Sequence, residues 1–203
     1  MIVKICGITN LEDAVAAVEA GAHAIGFNFY PRSPRYIRPA AAHAITTALP
    51  ANVLRVGVFV HETITEVRRM METAGMNIAQ IHHGETPATG LLRWWRARNV
   101  DETFQASDLN EDGSEAFLLD APAPGVYGGT GQVFDWSRVP TSGKRIVLAG
   151  GLDASNVASA IATARPWGVD ACSRLESAPG KKDHQKLKDF VQAAVQSSME
   201  ITR

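Results

Sequence analysis

The chain reads as an α/β protein whose strands close into a compact (βα)8 barrel with a shortened or missing fourth helix. Short β-rich runs alternate strictly with helical ones, which implies parallel strands joined by helical crossovers. The strand candidates number eight, and eight repeats suit a closed barrel better than an open doubly wound sheet. No linker or low-complexity stretch marks off a second unit, so residues 1–203 are read as one domain. Barrels of this kind typically run to roughly 250 residues, which makes this a trimmed version.

The first strand is IVKIC (2–6) and the first helix NLEDAVAAVEAG (10–21), with Asn10 as N-cap and Gly21 as terminator. AIGFNF (24–29) and AAAHAITTAL (40–49) form the second pair. The Val-rich LRVGVFV (54–60) and TITEVRRMMETAG (63–75), stopped by Gly75, form the third. NIAQIH (77–82) is the fourth strand. RWWRARNV (93–100) is the fifth, yet only ETPATGLL separates it from His83–Gly84, with Pro87 and Gly90 inside. A parallel connection usually needs a dozen or more residues. The reading therefore predicts a gap in the outer helical ring, with Leu91, Leu92, Trp94 and Trp95 partly exposed or covered by a partner subunit. SDLNEDGSEA (107–116) makes a poor helix, and AFLLD (116–120) a clear buried strand. KRIVLAG (144–150) and GVDACS (168–173) are the last two strands. DASNVASAIATA (153–164) and DHQKLKDFVQAAV (183–195) are the last helices, each begun by an Asp N-cap.

Composition narrows the function classes. A formal net charge of −1 argues against non-specific binding to nucleic acid or an anionic membrane. The N-terminus lacks the basic-then-apolar order of a signal peptide, and no apolar run nears the roughly 20 residues that span a bilayer. Two cysteines, Cys6 and Cys172, make no disulfide framework. A reduced, cytoplasmic protein is expected.

In such a barrel the chemistry sits in the loops at the C-terminal ends of the strands. Cys6 ends strand one and Asp120 ends strand six, so both project toward that face. The loops YGGTG (127–131), AGGLD (149–153) and SAPGKKD (177–183) follow strands six, seven and eight. Glycines ahead of helix starts let backbone N–H groups approach an anion, and loops seven and eight are a common phosphate site. Taken singly, such glycines only close tight turns; together they predict a phosphorylated ligand. In YPRSPRYI (30–37), two prolines stiffen a loop presenting Arg32 and Arg35, each suited to a carboxylate. For either one alone, a solvated arginine is the simpler reading.

The set KICGIT (4–9), GFNFYPRSPRYI (26–37), VGVFV (56–60), LLDA (118–121) with YGGTGQVFDW (127–136), LAGGLDASNV (148–157) and APGKKD (178–183) resembles phosphoribosylanthranilate isomerase. The matches run in order over nearly the whole chain. The resemblance implies a (βα)8 barrel of tryptophan biosynthesis, with no metal or organic cofactor and a small-molecule substrate. It implies an Amadori rearrangement of an aminoaldose to an aminoketose, with Cys6 as general base, Asp120 as general acid and Arg35 holding the substrate carboxylate. The glycine loops then bind phosphate through Gly129, Gly131, Gly150 and Gly151, with Ser173 as a ligand and Cys172 a small packing residue beside it. The chemistry asks for an acid and a base on opposite sides of the sugar. Asp120 must be protonated, its pKa raised by burial above ~3.9, and Cys6 must be thiolate.

Three places depart from that family's pattern. Arg174 stands where glycine is expected, so it either disturbs the phosphate loop or adds a charge to it. QIHHG (80–84) carries an extra histidine, His83; adjacent histidines face opposite sides of a strand and make a poor metal pair. The short fourth crossover is the third. Competing readings are the related isomerase of histidine biosynthesis, which uses an aspartate where Cys6 stands, and a non-catalytic phosphosugar-binding barrel. A monomer and a homodimer are both compatible with the sequence.

Overall fold

A computed structural model describes residues 1–110, 112–122, 131–141 and 143–201. Eight parallel strands close into a barrel in chain order: β1 (Ile2–Ile5), β2 (Ala24–Asn28), β3 (Leu54–Phe59), β4 (Ile78–Ile81), β5 (Trp94–Asn99), β6 (Ala116–Asp120), β7 (Ile146–Leu148) and β8 (Gly168–Ala171). Closure is made by the first and last strands, paired from Ile2–Gly168 to Ile5–Ala171. The barrel expected from the alternation of segments is therefore the fold.

Five α-helices are found among the described residues: α1 (Leu11–Glu19), α2 (Pro39–Thr46), α3 (Ile64–Ala74), α4 (Val157–Ala164) and α5 (His184–Ile201). Local chemistry sets their ends. The Asn10 side chain accepts from the Asp13 N–H and caps α1. Gly21, at positive φ, closes it, with its N–H on the Val18 carbonyl and that of Ala22 on Ala17. Thr63 and Glu66 form a reciprocal capping box on α3, which Gly75 ends in the left-handed conformation.

The fourth crossover has no helix: residues 82–93 run without one, as the short connection predicts. The poor helix at 107–116 is a single 3-10 turn, Ala106–Asp108. Two expectations are corrected. Asp153 is not the cap of α4, because the chain first makes a turn in which Asp153 Oδ1 accepts from Ser155 N; Asn156 is the N-cap. Trp94 and Trp95 are not exposed. Trp95 points into the barrel and Trp94 outward, where the Arg96 guanidinium lies 4.4 Å from its ring centroid, bonded to Asp112 (3.0 Å) and Thr86 (2.8 Å). A polar strap covers the gap that the missing helix leaves, and only Leu91 and Leu92 keep partial exposure. An addition is the small hairpin of β9 (Glu176–Ala178) and β10 (Lys181–Lys182), where a plain loop was expected.

Period-two alternation sorts the strand residues. Val3, Ile5, Phe27, Phe117, Leu119 and Val169 face outward onto the helices. The lower interior is apolar, built from Ala24, Val56, Ile78, Trp95, Leu118 and Val147. Burying a large apolar side chain stabilises by about 1.5–3 kcal/mol, so this layer plugs the barrel base firmly. Above it the inward positions turn polar, and the site begins there.

Candidate active site

The strand alternation that places Cys6 inward also places Lys4 inward, one step deeper. Lys4 is fully buried, with Nζ 2.9 Å from Asp170 on β8. Burial pushes the Lys4 ammonium down, but Asp170 and Cys6 outweigh it and hold its pKa raised. Asp170 is pushed up to about 7 by burial, against the pull of Lys4. Asp170 lines a recess together with Cys6, Gly7, Arg35, Gln80, His82, Asp120 and Cys172.

Cys6 follows β1 and Asp120 ends β6, three strands round the barrel, and both line the recess. Hydrogen bonding from the Cys172 thiol, with help from Lys4 and Lys182, holds the Cys6 thiol well below its usual pKa against the effect of burial. Burial and the Cys6 charge push the Asp120 carboxyl up to about 6, although its Oδ1 accepts from the Ala121 N–H at 2.8 Å. His82 is held neutral, down to about 3, by burial and the Lys4 charge. β4 ends at Ile81, so His82 and His83 lie just past the strand; His82 lines the recess, and the His83 ring instead stacks near His61.

Arg35 reaches the same recess, but two of its donors are already engaged. Nε and Nη2 make a bidentate pair with Glu176 at 2.8 and 2.7 Å. Glu176 is also bound by Lys182 Nζ at 3.0 Å, and Lys182 Nζ donates to the Cys172 carbonyl at 3.1 Å. The glycine loops meet beside this recess in a second hollow lined by Gly131, Gly150, Gly151, Cys172, Ser173 and Arg174. Gly151 is at positive φ, and a Cβ there would fall 2.6 Å from the Gly131 carbonyl oxygen, so only glycine lets loops six and seven touch. Gly129 lies outside the described residues. Arg174 bridges the hollow's rim, with Nε on the Gly131 carbonyl (3.0 Å) and Nη1 on Asp153 (2.8 Å). Cys172 borders both hollows, and its sulfur turns toward Cys6 rather than into the glycine loops.

Lys4, Asp170, Glu176 and Lys182 were not singled out from the sequence. Lys4 and Asp170 carried a signal: each is a charged residue inside an apolar strand, two positions before a cysteine on the inward face. Glu176 and Lys182 meet through the β9–β10 hairpin, which the sequence did not announce.

A thiol and a carboxyl set across the mouth of a closed barrel, beside a glycine-lined hollow, define a (βα)8-barrel enzyme of acid–base type. The family model for N-(5'phosphoribosyl)anthranilate (PRA) isomerase matches residues 3–193. An N-(5'-phosphoribosyl)anthranilate isomerase of Solibacter usitatus is 53% identical over 196 residues, covering 96% of this chain and 97% of its own. The crystal structure of phosphoribosyl anthranilate isomerase from Thermotoga maritima superposes with a TM-score of 0.88 at 43% identity, over 97% of this chain and 100% of that one. A crystal structure of the enzyme in complex with reduced 1-(o-carboxyphenylamino)-1-deoxyribulose 5-phosphate superposes with a TM-score of 0.77 at 38% identity, over 97% and 100% of the two chains. The chain belongs to the N-(5'-phosphoribosyl)anthranilate isomerase family.

Proposed function

We propose that Cys6 and Asp120 carry out, as general base and general acid, the reaction of this family: the Amadori rearrangement of N-(5-phosphoribosyl)anthranilate to 1-(2-carboxyphenylamino)-1-deoxyribulose 5-phosphate in tryptophan biosynthesis. Protonated Asp120 gives its proton to the furanose ring oxygen. The C1′–O bond opens, the substrate nitrogen supplies the electrons, and a Schiff base results. The Cys6 thiolate then removes the C2′ proton, and the enolamine formed tautomerises to the ketone. Asp120 gives up one proton and Cys6 takes up one, and exchange with solvent resets both, so the product is an isomer of the substrate and the atoms balance without a co-substrate.

The observation that carries this reading is the opposed setting of two groups in one recess, Asp120 held toward its protonated form and Cys6 toward its thiolate. Arg35, fixed through Nε and Nη2, is assigned to the substrate carboxylate through Nη1. The hollow at Gly131, Gly150, Gly151, Cys172 and Ser173 is assigned to the phosphate, with Gly129 on the same loop. Positive φ at Gly131, Gly150 and Gly151 supports it, because turned backbone amides are good anion donors. The reading takes one barrel domain, monomeric or homodimeric, acting in the cytoplasm on a small molecule without nucleic acid.

The test is loss of substrate fluorescence, with phosphoribosylanthranilate generated in situ. The parent turns over rapidly, and Cys6→Ala and Asp120→Ala each fall by at least ~100-fold in kcat/KM, as lost acid–base catalysis requires. Full turnover in either variant would remove that residue from the mechanism.

A further inference from the structure

Cys6 and Cys172 are the only cysteines of the chain, and the fold sets them side by side. The β1–β8 ladder pairs Ile5 with Ala171 and continues with the Cys6 N–H on the Ala171 carbonyl at 2.9 Å, so the two cysteines face each other across adjacent strands. Neighbouring strands run about 4.8 Å apart, inside the ~4.4–6.8 Å Cα separation that a disulfide needs. Both side chains turn into the same recess, and both are only partly buried. Each lies one residue past its strand end. No step assigned to the isomerisation uses the Cys172 sulfur.

We propose that Cys6 and Cys172 form a peroxide-sensitive pair, closing to an intramolecular disulfide that switches the enzyme off reversibly. The oxidant is a hydroperoxide. The Cys6 thiolate attacks one peroxide oxygen, the O–O bond breaks, and the leaving hydroxide or alkoxide takes up a proton. Cys6 is thereby oxidised to the sulfenic acid and the peroxide reduced. Cys172 sulfur then attacks the Cys6 sulfur, the S–O bond breaks, and the departing hydroxide leaves as water with the Cys172 proton. In sum, two thiols and one hydroperoxide give a disulfide, an alcohol or water, and water.

The surroundings favour both steps. Lys4, Lys182 and the Cys172 thiol stabilise the Cys6 thiolate that must attack first. Cys172 itself is held up by its hydrogen bond to Cys6, by burial and by the Cys6 charge, with Lys182 and Arg35 pulling the other way. Once Cys6 is a neutral sulfenic acid, its charge is gone and those two cations remain, Lys182 Nζ at 3.8 Å from the Cys172 sulfur. The inactivation rests on Cys6 being the base; the disulfide does not.

The experiment treats the parent and Cys172→Ser with hydrogen peroxide and follows activity, free thiols and peptide mass, each protein against its own untreated rate. The parent should lose activity at least ~100-fold, as for loss of the base. Its free thiols should fall from two to none, with a cross-linked Cys6–Cys172 peptide pair lighter by two hydrogens. Dithiothreitol should then restore the rate. Cys172→Ser, lacking a resolving thiol, should pass to the sulfinic acid and stay inactive after dithiothreitol. Free Cys172 in the inactivated parent, or equal recovery of the two proteins, would overturn the pair and leave the base assignment untouched. A complete disulfide with undiminished activity would overturn the switch and the role of Cys6 together.

Discussion

Asp120 shows how one residue sets function against stability. Its pKa stands at about 6 against an ordinary 3.8, chiefly because burial penalises the charged form. A carboxyl raised on folding binds its proton more tightly in the native state. Its contribution is therefore intact below the ordinary value, and is lost as pH rises through about 6. At neutral pH the fold carries a buried charge costing up to ~3 kcal/mol. Asp120→Asn should accordingly be more stable than the parent by ~2 kcal/mol near ~pH 8 and about equal near ~pH 4, while losing its turnover. Urea unfolding at the two pH values measures this; a variant no more stable at alkaline pH would mean the carboxyl is better solvated than its setting implies. The parent's kcat/KM should decline above about pH 6 as the acid is consumed. Position was the legible part of this site: Cys6 and Asp120 could be found because each closes an apolar strand run. Their protonation was only partly legible, because Lys4 and Asp170 act from neighbouring strands. Arg35 was legible as a rigidly presented cation, whereas Glu176, which fixes it, lies 141 residues further along.

Among the elements, the missing helix after β4 is the most informative. The spacing between Gly84 and β5 was too short for a crossover helix, and that much could be read directly. What covers the exposed strand could not. Arg96 was not singled out within its tryptophan-rich run, and its side chain is 4% exposed and lies between the Trp94 ring, Asp112 and Thr86. These partners come from both flanking loops, so only the folded chain assembles them. Asp112→Ala should leave a buried guanidinium short of its counter-charge. The expected cost is about 2 kcal/mol in urea unfolding, with a red shift of tryptophan emission and unchanged kcat/KM. A loss below ~0.5 kcal/mol, the range of ordinary surface changes, would mean that stacking on Trp94 alone covers the gap.

The whole barrel is closed by its most distant strands, and a buried ion pair sits across that seam. Lys4 on β1 and Asp170 on β8 are 2.9 Å apart, and the lysine is fully enclosed. The two ends of this pair are not equivalent. Asp170 already stands at about 7 beside its cation, so when the cation is removed it can take up a proton and remain buried as a neutral acid. Lys4 is held charged by Asp170 and Cys6, and losing Asp170 strands an ammonium in the barrel. Asp170→Asn should therefore cost ~3–5 kcal/mol, and Lys4→Met well under half of that near ~pH 6. The sign of the pH dependence follows. A raised carboxyl loses its stabilising contribution as pH rises to its folded value. The parent should thus level off above about pH 7, whereas Lys4→Met should keep losing ~1.4 kcal/mol per pH unit beyond it. The same variant should shift iodoacetamide alkylation of Cys6 to higher pH, because a cation beside the thiolate is gone. Equal destabilisation of the two variants at every pH would mean that the seam is held by packing, with the charges indifferent to it.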